Sequence, residues 1–64
     1  HKLLLRERFE RLALDLGDPA PQTLARQLLT LWDGAFVGAF IESDVAPVLA
    51  ARAAAAKLVA REDR

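Results

Sequence analysis

Between Leu24 and Ile41 the polar positions thin out and then stop, so LARQLLTLWDGAFVGAFI is the most informative stretch of the chain. At about 100° per residue, Arg26, Thr30 and Asp33, with Gln27 at the margin, share one stripe of a helix, and Leu24, Leu28, Leu29, Leu31, Trp32, Ala35 and Phe36 cover the rest. Past Asp33 the stripe ends. Gly34, Phe36, Val37, Gly38, Phe40 and Ile41 go round the whole circumference. A helix of that kind needs protein on every side, more than two other short helices of one chain supply. The pattern predicts association with a second copy or with residues outside these 64.

The flanking segments read as two further helices. From Lys2 to Leu16 the positions Leu5, Phe9, Leu12 and Leu16 make an i, i+4, i+7, i+11 stripe, with Arg6, Glu7, Arg8, Glu10 and Arg11 on the other faces. Gly17 is a natural residue just beyond a helix end. The segment Asp18 to Pro21 (DPAP) then stops that helix and starts the next, with Asp18 as a cap and proline in the first turn. Ser43 and Asp44 form the second break, either able to act as N-cap, and Pro47 falls within the first turn, where a missing N–H costs little. Helices are therefore expected at about 2–16, 21–42 and 44–61. The third is rich in alanine, the best helix former. It carries one apolar stripe of Val45, Leu49, Ala53, Ala56 and Ala60 and another of Val48, Ala51, Ala55, Leu58 and Val59. Two stripes suggest two contacts, one within the chain and one outside it, with Arg52 snorkelling between them.

Size and composition sharpen this picture. At 7.0 kDa, with no Cys for a disulfide and no Cys or His cluster for a metal, the chain lies where burial area is marginal and oligomerisation is the remaining staple. Hydrophobic residues at 53% against 28% charged exclude the signature of disorder. Nine basic and nine acidic residues leave no net charge to draw the chain onto nucleic acid or an anionic membrane. No secretory leader is readable, and the start at His1 instead of Met predicts a fragment, a processed product or part of a longer protein. His1 is given no chemical role.

Specific chemistries find little support. Gly34 and Gly38 form a GxxxG, extended by Ala35 and Ala39, but the apolar run from Leu28 to Ile41 is too short and too interrupted to span a membrane. It reads as a close helix–helix contact. No Ser or Cys has a His partner, and no HExxH or phosphate-cradling loop occurs, so no catalytic, cofactor-binding or metal-binding residue is expected. The carboxylates read as caps and solvated charges: Asp15, Asp18 and Asp44 at helix ends, Glu62 and Asp63 in a charged tail. Asp33, beside Trp32 at the edge of the apolar half, is the one acid that is a candidate for more, and a surface or interface hydrogen bond is the favoured reading for it. The aromatics Trp32, Phe36 and Phe40 recur every fourth residue and read as core, or as the wall of an apolar ligand pocket.

Taken in order, the helix ending in Gly17, the D-P-x-P entry, LARQLLTLWDGA and the Ala/Arg-rich AARAAAAKLVA resemble the C-terminal end of bacterial TetR-type transcriptional regulators. The most specific element is the pattern carried by Leu24, Gln27, Leu28, Leu29, Leu31, Asp33, Gly34 and Ala35, which is similar to the penultimate helix of that family. The resemblance implies that the last two helices pair with their twofold copies as a four-helix bundle. It also implies that upstream helices hold an effector pocket and that an N-terminal helix-turn-helix, absent here, reads operator DNA. The expected fold is all-α. The expected dimer interface is Leu28, Leu31, Gly34, Ala35, Gly38, Ile41, Val48, Ala51, Arg52, Ala55 and Val59, with no enzymatic activity and no cofactor. The expected partners are a second copy and the upstream helices of a parent chain, in the cytoplasm and without membrane contact. A free-standing helical interaction module is the alternative.

Overall fold

The computed structural model describes residues 2–61, the side chain of Lys2 excepted, so His1, Glu62 and Asp63 lie outside the described residues. It contains three helices, α1 (Lys2–Asp15), α2 (Pro21–Glu42) and α3 (Ala46–Val59), and no strand among the described residues. The fold is all-α. Helix α1 closes where Gly17 takes φ +75°. The Gly17 N–H donates to the Leu14 carbonyl at 3.0 Å and the Asp18 N–H to that of Ala13 at 3.1 Å, the paired bonds of a Schellman end. Only glycine adopts that conformation without strain.

The two interhelical turns repeat one device. In Asp18-Pro19-Ala20-Pro21 and Asp44-Val45-Ala46-Pro47 the aspartate Oδ1 accepts the N–H of the alanine two residues on, at 2.8 and 2.9 Å. Proline then stands at the first or second helical position, where no N–H is needed. These are Asx turns ahead of the helices: the N-cap positions are Ala20 and Val45, neither with a side-chain cap bond, so Asp18, Ser43 and Asp44 are not the N-caps expected. Helix α3 starts at Ala46, two residues later than expected, and its last helical residue is Val59 because Ala60 has left helical geometry. Similarly α1 ends at Asp15, one residue before Leu16. At the close of α2, Ser43 occupies the left-handed region at φ 52° without being glycine.

The longest helix, α2, lies in the middle, with α1 on one side and α3 on the other, and α1 and α3 barely meet. The result is a bent layer of 36 × 27 × 13 Å, twice as wide as it is thick. Its radius of gyration of 12.3 Å exceeds the roughly 10.7 Å of a compact chain this long. Its surface of 4783 Å² exceeds the roughly 4000 Å² of a compact monomer of this mass.

A single small cluster joins the layer: Ala13, Leu24 and Leu28, with Phe9, Ala55, Leu58 and Val59 packed against it. Ala25 and Leu29 are the other buried apolar residues. This corrects the expected stripe of α1. Phe9 and the fully buried Ala13, one turn apart, form the row that reaches the core, whereas Leu12 and Leu16 are exposed. They sit about 60–100° round the helix from Ala13, toward a side that nothing among the described residues covers. At the lower end, Asp18 accepts an ion pair from Arg61 at 3.3 Å with its side chain buried, tying the segment after α3 to the α1–α2 turn.

Candidate association surface

The second half of α2 and the first half of α3 form one exposed apolar end. Phe36, Ile41 and Phe40 are 63%, 73% and 86% exposed, and Val37, Val45 and Leu49 are exposed beside them. The sequence puts these side chains there because the apolar run of α2 continues two turns beyond its last polar position, Asp33, which is half-buried. Below that end the aromatic row is anchored. Phe9 meets Trp32 edge-on at 6.2 Å between ring centroids, and Trp32 meets Phe36 at 5.4 Å, within the range of favourable aromatic pairs.

The expected interface residues other than Gly38 divide into three groups. Leu28 is only 6% exposed and belongs to the internal core, and Ala55 and Val59 pack against that core. Leu31, Ala35 and Ala51 are half-buried along the α2–α3 seam, and Gly34, Ile41, Val48 and Arg52 face outward. The stripe of α3 that turns inward is therefore the one containing Ala51, Ala55, Leu58 and Val59. The stripe of Val45, Leu49, Ala53, Ala56 and Ala60 stays open, although only the former supplied expected interface residues.

The two glycines of the small-residue strip also separate. A Cβ on Gly38 would lie 2.8 Å from Cβ and 3.1 Å from Cγ of Pro47, so this glycine lets the start of α3 approach α2 within the chain. A Cβ on Gly34 would meet nothing within 4 Å. Glycine in mid-helix costs about 1 kcal/mol relative to alanine, and nothing inside the chain accounts for that cost at Gly34.

Two grooves run between α2 and α3. Arg26 and Thr30 lie about 160° round α2 from Leu28 and Trp32, so the grooves open on opposite faces of the layer. The smaller, of about 250 Å³, is lined by Phe9, Leu28, Trp32, Ala35, Val48 and Arg52 among others. Of the expected pocket wall only Trp32 reaches it; Phe36 and Phe40 do not line it. The larger, of about 510 Å³, has Leu31, Ala54 and Leu58 as its floor and Arg26, Lys57 and Arg61 at its rim. The Thr30 hydroxyl donates to the Arg26 carbonyl at 2.8 Å, leaving its methyl as the apolar part of the groove wall. The basic residues thus gather at the lower end of this face, while the exposed acids Glu42 and Asp44 stand at the upper end of α2. Opposite charges at opposite ends are invisible in a net charge of zero.

Asp18 closes an Asx turn ahead of α2 instead of capping it, and the sequence carries no signal for its pairing with Arg61, a contact across more than forty positions. Among the described residues no group of three or more His, Cys, Asp or Glu is placed to hold a metal ion. No helix among them is long and apolar enough to cross a membrane. Comparison with protein-family models, curated proteins and solved structures finds no match to this chain.

Proposed function

We propose that this chain is a self-association module whose α2 and α3 pair with those of a twofold-related copy as a four-helix bundle. The observation that carries this reading is the exposed apolar end, where Phe36, Phe40 and Ile41 stand in water on a chain whose internal core is five apolar residues. Contiguous apolar surface of that kind marks an interaction site. A standard interface covers about 800 Å² per partner, roughly a sixth of the 4783 Å² presented here.

The sequence resemblance extends the proposal. The module is the C-terminal dimerisation region of a TetR-like transcriptional repressor, and its work is structural: it sets the dimer whose geometry fixes the spacing of two operator half-sites. DNA recognition belongs to a helix-turn-helix of the parent protein, and with equal numbers of acids and bases these residues supply no bulk electrostatic attraction to a duplex. The test is a fusion of the 64-residue chain to a helix-turn-helix domain that binds its palindromic operator only as a dimer. Restored operator binding, lost again on changing Ile41 to Ser, is the expected result. A fusion that binds no better than the isolated domain would remove the dimerisation role.

A further inference from the structure

The self-association reading leaves open how two copies meet. We propose, resting on that reading, that they meet antiparallel across the α2 seam Gln27, Thr30, Gly34, Val37 and Ile41, with Gly34 on the twofold axis. Three observations lead there independently. The seam spacing of three, four, three and four residues keeps one face toward a partner, as in a left-handed helix pair. At its centre Gly34 has open space around its missing Cβ and no reason within the chain to be glycine; a second α2 backbone crossing closely at that point supplies one. Seven residues to one side of Gly34 stands the exposed Ile41, and seven to the other stands Gln27, on the rim of the apolar-floored groove.

An isologous antiparallel pair brings Ile41 of each copy over Leu31, Ala54 and Leu58 of the other, so knob and groove are used twice by one symmetry operation. Charge selects this orientation over the parallel one. Antiparallel, the acidic end of α2 carrying Glu42 and Asp44 arrives at the end carrying Lys57, while Arg26, about 80° from Gly34 on the flank opposite Glu42, stays outside this pairing. Parallel, acids would face acids and bases would face bases, a repulsion at both ends of the seam.

Because the chain contains no cysteine, single-cysteine variants report the register without background. Disulfides form only where Cα atoms come within about 7 Å. Under mild oxidation Gly34→Cys is expected to link to itself, and a mixture of Gln27→Cys and Ile41→Cys chains is expected to give mainly mixed 27–41 dimers by mass spectrometry. Self-linked Ile41→Cys as the main product, or no linkage at either pair in a chain that sediments as a dimer, overturns the register and leaves self-association standing. A parent chain that sediments as a monomer overturns both. As a second readout, Lys57→Glu is expected to raise the dimer dissociation constant about tenfold at low salt. Adding Glu42→Lys to that chain should recover most of the loss; no recovery would argue against the charge pairing that selects the antiparallel orientation.

Discussion

Replacing Gly38 by Ala probes the close approach of the start of α3 to α2. The new methyl would sit 2.8 Å from Pro47 Cβ and 3.1 Å from Cγ, where carbon atoms prefer about 3.5–4.0 Å. The obstacle is a proline ring in the first turn of α3, not the end of a flexible side chain, so the helix start must withdraw. Overpacking of this kind costs about 1–3 kcal/mol, against a helix-propensity gain of about 1 kcal/mol for Gly→Ala. Gly34→Ala carries the same gain with no atom within 4 Å. Comparing the two variants cancels propensity and isolates the contact, so Gly38→Ala should be less stable than Gly34→Ala by about 1–3 kcal/mol. For a domain this small that is a melting difference of about 4 °C or more. Thermal unfolding followed by circular dichroism, at one dilute protomer concentration in a stabilising osmolyte that keeps the dissociated chain helical, measures it. A Gly38→Ala chain as stable as Gly34→Ala would refute the close α2–α3 approach at Pro47.

Other perturbations follow from the same contacts. Ser43→Gly should stabilise the chain by about 1 kcal/mol, because Ser43 holds φ 52° where a side chain costs about 1–2 kcal/mol; urea unfolding reads it. Of the two turn-forming aspartates, Asp18→Ala should cost about 1–3 kcal/mol, since its buried carboxylate loses the Asx-turn bond and the Arg61 pair together. Asp44→Ala, which loses an exposed Asx-turn bond, should cost about 1 kcal/mol or less, and equal losses would deny Asp18 its role at the lower end. Ile41→Ser should raise the dimer dissociation constant at least about thirtyfold, as two exposed isoleucines are buried in each dimer; analytical ultracentrifugation reads it.

The elements were legible because their boundaries are set locally. Gly17, the paired D-x-A-P segments and Ser43 carry the turn chemistry in a few adjacent residues, and α2 appears at Pro21–Glu42, as the sequence predicts. The facing of each helix was less legible, because it depends on neighbours distant in sequence. Periodicity marks Leu12 and Leu16 as apolar without saying that the row through Ala13 reaches the core, since a buried methyl gives no strong hydrophobic signal. On α3 both stripes are apolar, and alanine's small size makes them equivalent until α1 and α2 are in place. Gly34 and Gly38 look alike in GAFVG, and only the position of Pro47 distinguishes an internal contact from an open one. The ion pair between Asp18 and Arg61 is legible from neither end.

Sedimentation equilibrium of the unmodified chain over nanomolar to high-micromolar concentration, with helicity recorded on the same samples, bears most directly on the claim that this layer is half of an assembly. Association coupled to helix formation is predicted: a dimer mass at high concentration, with mass and helicity falling together on dilution. A fully helical chain that keeps its 7.0 kDa monomer mass throughout that range would contradict it.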